Sequence, residues 1–251
     1  MRIFSVILLF FFSIYQNKAQ NITDSKGWKQ GSWSKVYPGT NVYQYKGQFK
    51  DNLPYGTFTY FYENGNTKAI VLHSDKALRS EAFFYYSSGK LMTYGIYRNQ
   101  KKDSIWSNYN EEEVLVYTET FQNDILNGKK STFYLPNATP GQTKVLAIES
   151  NYVNGKLSGQ YAEYFISGTL KEKGQYKDDL KDGVWIKYHT NGNKMMEERF
   201  KKGITHGWQY AYDESGKEIG KSYYYSGEKL EGKVLDAKLE YLKKNGIDPN
   251  Q

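Results

Sequence analysis

Aromatic and small residues recur along the chain at a nearly constant step. Gly31, Gly56, Ser80, Ser104, Gly128, Gly159, Gly183, Gly207 and Gly232 are separated by 25, 24, 24, 24, 31, 24, 24 and 25 residues. Seven residues before these anchors stand Phe49, His73, Tyr97, Phe121, Tyr152, Tyr176, Phe200 and Tyr225. Five residues after them the column Phe61, Tyr85, Tyr109, Phe133, Tyr164, Tyr188 and Tyr212 is wholly aromatic. Nine after come Gly65, Gly89, Glu113, Asn137, Gly168, Gly192 and Gly216. Fixed offsets in several columns separate a true repeat from glycine richness, and a period of this length marks one supersecondary unit copied in tandem.

The copy from Gly174 to Gly192 shows what the unit is. Asn191-Gly192 lies between two β-prone runs, and Asn-Gly accepts the positive φ angles of a tight hairpin turn. Lys177 to Gly183 carries Asp178, Asp179 and Asp182 and reads as a longer polar loop. Each unit is therefore a strand, a tight turn, a second strand and a loop. Trp185 and Tyr188 are three apart and cannot share a strand face under strict alternation, so the strand holds a bulge or Trp185 sits at its entrance. The aromatics of one hairpin cannot offset the cost of ordering it, and neighbours must share the burial. The expected fold is an all-β, elongated array of tandem antiparallel hairpins over residues 25–233.

The ends depart from the repeat. Residues 234–246 bring Leu235, Leu239 and Leu242 to helical spacing, with Lys243 and Lys244 in the last turn and Gly246 at the closing position. This reads as a short amphipathic helix capping the last hairpin, or as a partner-binding helix. The longest interval, Gly128 to Gly159, predicts a long loop near 135–145, either a surface excursion or a contact site. At the start, Arg2 precedes an apolar run from Ile3 to Ile14, and Ala19 offers a cleavage position. Residues 1–19 therefore read as an export signal, too short to span a bilayer, or as an anchor if uncleaved. Export places the chain in the periplasm, cell envelope or medium.

Composition fits thin sheets: Tyr 25, Phe 13 and Gly 23, with a mean hydropathy of −0.77. Cysteine is absent, which removes disulfides, thiolate metal sites and cysteine nucleophiles together. The formal charge is +7; without residues 1–19, which hold Arg2 and Lys18, 32 bases face 27 acids, or +5. Bases and acids interleave, which describes a solvated surface and gives no reason to expect nucleic acid.

The sequence carries little that resembles catalysis. His73, His189 and His206 are scattered, and their spacing does not suit zinc. Glu111-Glu112-Glu113 and Glu197-Glu198 are adjacent carboxylates, which in a strand point to opposite faces. Asp178, Asp179 and Asp182 lack the alternating spacing of a calcium loop. The glycines fall on the repeat period, so phosphate loops and nucleophile elbows are not needed to explain them. An enzyme and a cofactor are not expected.

The recurring Gly-x-Tyr-Lys-Asp, Leu, Gly-x-Trp, Tyr and Asn-Gly elements resemble the MORN-repeat variant of exported bacterial proteins, especially those described as YwqK-family antitoxins. The match covers about Gly31 to Gly232. Where ordinary MORN repeats place a second glycine two residues past the anchor, this chain has Trp33, Phe58, Trp106, Tyr161 and Trp185. The resemblance implies a β-hairpin array that binds another molecule, a toxin in the named group.

Three functions follow as expectations. The leading one is a protein-binding scaffold. The second is a carbohydrate or cell-wall binding module, in which Trp33, Trp106, Trp185, Trp208 and Tyr210 stack on sugar rings. The competing reading of those five aromatics is core packing. The third is attachment to a membrane surface through the +5 charge.

Overall fold

A computed structural model describes residues 20–135 and 144–250. The expected leader and nearly all of the expected long loop lie outside the described residues.

Apart from a 3-10 turn at Asp75–Ala77, the described chain is all-β until its last segment. The first half holds β1 (Ile22–Thr23), β2 (Lys29–Val36), β3 (Tyr43–Lys50), β4 (Leu53–Phe61), β5 (Thr67–His73), β6 (Arg79–Tyr85), β7 (Leu91–Arg98), β8 (Lys101–Tyr109) and β9 (Leu115–Gln122). The second half holds β10 (Ile125–Phe133), β11 (Leu146–Val153), β12 (Lys156–Tyr164), β13 (Leu170–Lys177), β14 (Leu180–Tyr188), β15 (Lys194–Lys201), β16 (Ile204–Thr205), β17 (Gly207–Tyr212), β18 (Glu218–Tyr225) and β19 (Glu228–Leu230). Helix α1 (Gly232–Lys244) follows. Strands pair antiparallel in chain order, with β16 and β17 both alongside β15. The result is a single open meander sheet, not closed into a barrel.

The two kinds of hairpin end are the reverse of the expectation. Asp178 (φ 50°) and Asp179 (φ 69°) both adopt the left-handed conformation and form a two-residue type I′ turn. Asp51-Asn52, Asn99-Gln100, Asn123-Asp124, Asn154-Gly155, Lys202-Gly203 and Ser226-Gly227 repeat it. Asn and Asp tolerate that region better than other non-glycine residues. At Asn191-Gly192 only Gly192 has positive φ (91°). There the amide of Gly192 donates to the His189 carbonyl at 2.9 Å and that of His189 to the Asn193 carbonyl at 2.8 Å. This is a three-residue loop with a glycine bulge.

Except for Gly232, which opens α1, the anchor glycines sit inside strands. Between the pairs Lys173–Ile186 and Gln175–Asp182 one residue of β13 opposes three of β14, so Gly183 (φ 72°) lies in a bulge. The bulge precedes Trp185 and brings the indole over β13, while pairing with β15 runs evenly from Trp185 to Lys187, so alternation carries Tyr188 to the other face, where Lys173 lies over its ring. Gly174 lies beneath the indole: an added Cβ there would overlap the Trp185 ring, and Gly95 is covered by Trp106 in the same way.

Facing positions co-vary along the array. Trp106 and Trp185 cover glycines, Ala82 pairs with Val71, and Lys130 pairs with Glu119 at 2.8 Å. Lys102 and Lys181 stand four residues before their tryptophans and place Nζ 4.4 and 3.8 Å from the indole centroids, with Lys29 doing the same over Trp33 at 4.8 Å. Rings from flanking strands meet the indoles edge-on: Tyr97 and Phe121 against Trp106 at 4.9 and 6.4 Å, Tyr176 and Phe200 against Trp185 at the same distances.

A second device ties successive loops together. The hydroxyls of Tyr37, Tyr62, Tyr86 and Tyr134 donate to the carbonyls of Phe61, Tyr85, Tyr109 and Tyr164 in the next unit, at 2.7–2.8 Å. His189 takes this place against the Tyr212 carbonyl at 3.0 Å. On the opposite edge the amide of Asp179 donates to the Leu157 carbonyl at 2.9 Å, and the Leu157 amide donates back to Oδ1 at 2.8 Å. Asp124 clasps Lys102 reciprocally at 3.0 and 2.6 Å.

Candidate functional site

The alternation of each strand sorts side chains onto two faces. Trp33 pairs with Gly47 on the face that carries Phe58, and Trp106 and Trp185 belong to that same face. It is the structured face, bearing the edge-on ring contacts and the tryptophan-capping lysines.

The five aromatics singled out by sequence do not form one row. Trp106 and Trp185 are buried, at 2% and 0% exposure, between rings and beneath lysine, which leaves neither a free face for a sugar. Their indole N–H groups donate to the carbonyls of Ile96 at 3.2 Å and Gln175 at 3.1 Å. Trp33 is half-buried and donates to the Gln30 carbonyl at 3.1 Å. Trp208 stands one residue after its anchor instead of two, and a one-residue displacement moves a side chain to the other face. Tyr210 pairs with Glu197 and Trp208 with Tyr223, opposite to the face of Trp185.

The C-terminal segment packs on that second face. Leu242 of α1 is buried, Lys238 lies 3.3 Å from the Tyr225 centroid, and the Tyr223 hydroxyl donates to the Pro249 carbonyl at 3.0 Å. Trp208 is held through its amide, which donates to Asn250 Oδ1 at 3.2 Å. The helix therefore covers the end of the array, as a cap does.

The histidines serve packing. His206 is buried and packs against Tyr225 with ring centroids 5.0 Å apart and planes tilted by 46°, and His189 belongs to the loop-tying series. His73 occupies the aromatic column, edge-on to Phe58 at 5.2 Å, with Nδ1 2.8 Å from Ser80 Oγ. Burial holds its imidazole below the usual range. The Asp178, Asp179 and Asp182 run is turn chemistry. Among the described residues no group of three or more His, Asp and Glu is placed to hold a metal ion, and no helix is long and apolar enough to cross a membrane.

The feature that sequence reading missed is an interruption. Phe58, Val71, Ala82 and Gly95 are opposed in turn across β4 to β7, and the β5–β6 rung carries no ring. The strands there run in unbroken register and Ser80 does not adopt positive φ, unlike Ser104 (φ 61°). A trough of about 870 Å³ opens over β5. The signal was present in the offset two after the anchor, where Ala82 falls out of a largely aromatic column.

No protein-family model matches the chain, and no curated protein matches it. Among solved structures it has a weak likeness to a porin-like protein from Bacteroides uniformis ATCC 8492, 9% identical, covering 78% of this chain and 91% of that one, with a TM-score of 0.17.

Proposed function

We propose that the chain is a non-enzymatic exported scaffold that binds a partner protein. The observation that carries this reading is a one-layer sheet locked from unit to unit. Its tight turns, loop-tying tyrosines and ring rungs fix side chains at a regular step, and along the described array no second layer covers either face short of the C-terminal segment. Rigidity before binding is what an extended recognition surface needs, because little ordering entropy remains to be lost on association. The resemblance to MORN-variant repeats supports the same reading.

The test is crosslinking and affinity capture of the mature protein from envelope extract, with size-exclusion light scattering alongside. A stoichiometric partner that protects face residues from hydroxyl-radical labelling is the expected result. Recovery of no stoichiometric partner, with the chain monomeric, would overturn it.

A further inference from the structure

We propose that the trough over β5 is the recognition site for an acidic segment of a partner protein that inserts one aromatic side chain. This rests on the scaffold reading and names the chemistry of its partner.

The aromatic part of the proposal comes from the neighbouring rungs. Trp106 and Trp185 each lie between two rings of the column seven before the anchor, one from each flanking unit. At the interrupted rung the corresponding flanking residues are His73 and Tyr97, which oppose Ser80 from either side. Small residues stand between them where an indole would lie. The trough is walled by Tyr60, Phe84 and Tyr97 and floored by Ala69 and Val71. A ring entering there meets the edge-on neighbours that the chain supplies to its own tryptophans.

The acidic part comes from charge. Among the described side chains, the charged residues lining the trough are Lys68 and Lys76, with no Asp or Glu beside them. Elsewhere on this face Lys181 is answered by Glu172 at 3.0 Å and Lys130 by Glu119 at 2.8 Å. His73 adds a directional group: Nε2 is buried and has no hydrogen-bond partner. In the tautomer in which the Ser80 hydroxyl donates to Nδ1, Nε2 carries the proton and calls for an acceptor. Lys76 sits in the 3-10 turn Asp75–Ala77, where Lys76 (φ 57°) and Ala77 (φ 53°) replace the usual two-residue turn. The turn thus differs from the regular ones at the same unit where the ring is missing.

Calorimetry and amide NMR on the full mature protein at low salt decide the matter, with capped peptides as probes: Gly-Asp-Glu-Trp-Glu-Asp-Gly, the same with Ala for Trp, and a version with Lys for every acid. The first is expected to bind saturably, with shifts confined to β4 through β7. Either replacement is expected to weaken binding at least about ten-fold. Val71→Trp, which fills the floor, is expected to abolish binding with the melting temperature retained. Lys68→Glu with Lys76→Glu, both exposed, is expected to weaken it about ten-fold or more without unfolding. Absence of saturable binding, equal binding of the Ala peptide, or undiminished binding by both variants would overturn the proposal, as would binding of a neutral oligosaccharide in the peptide's place. A captured partner that Val71→Trp still holds would overturn this site and leave the scaffold reading standing.

Discussion

At the scale of single residues the fold depends on pairs of unlike size. Trp185 is fully buried above Gly174, so Trp185→Ala leaves a cavity and is expected to cost about 3–5 kcal/mol. Gly174→Ala drives a methyl into the indole and is expected to cost about 1–3 kcal/mol. Together they should cost less than the sum by about 1–3 kcal/mol, since an alanine at 174 meets no ring once the indole is gone. Urea unfolding of the four proteins in this cycle measures it, and strict additivity would contradict the packing. The tyrosines set a second residue-scale expectation. Burial, reinforced by Glu163 and Tyr176, pushes Tyr161 from 10.0 up to about 12, and burial also raises Tyr60, Tyr97, Tyr176 and Tyr223. The unfolded chain gives up these protons first. Their stabilisation is fully present below pH 10 and for Tyr161 is lost as pH rises to about 12. Strand circular dichroism should therefore fall over that window as tyrosinate absorbance appears. Intact strands bearing fully ionised tyrosines would refute it.

Within each hairpin the two ends have different chemistry, and here sequence reading was only half sufficient. The anchor glycines and the aromatic column five beyond them were plain in the sequence because bulges and buried rings leave few residue choices. Which end turns tightly was not plain. Asn191-Gly192 carries the strongest short-range hairpin signal, but a type I turn with a glycine bulge satisfies the same dipeptide. Asp178-Asp179 looks like a solvated acidic run until its backbone is seen. The tyrosines that tie loops together were also hidden, because their partners are carbonyls of the next unit and leave no side-chain pattern. Asp179→Ala is expected to cost about 1–3 kcal/mol, from a left-handed alanine and from an unanswered Leu157 amide. Asp182→Ala, two places past the turn, should stay within about 0.5 kcal/mol. Equal losses in chemical denaturation would show that acidity, and not turn geometry, matters there. The trough over β5 escaped notice for a related reason: Ala82 is informative only as a missing member of a column.

Along the described array the extensive strand–strand contacts run between neighbours, so units should be removable in phase. Deleting residues 165–188 takes out β13 and β14 and joins Tyr164 to His189. The junction falls between equivalent positions, five and six after an anchor, so the loop Tyr-His-Thr-Asn-Gly is restored. β12 then meets β15, and Gly159 takes the place of Gly183 opposite Phe200. Tyr161, already ring-packed against Tyr176 at 5.5 Å and paired with Ser150, comes to face Phe200 across a rung of the same form. The shortened chain is expected to fold, with a denaturant slope reduced roughly in proportion to the surface removed and a stability lowered by one unit and one interface. Removing only residues 165–176 is different. It deletes one strand, reverses the direction of every later strand against β12 and sends ring columns to the wrong face. That protein should fail to fold cooperatively at any temperature. Calorimetry and size-exclusion chromatography compare the two deletions directly. If both fold equally well, or neither folds, the array does not behave as a row of equivalent units.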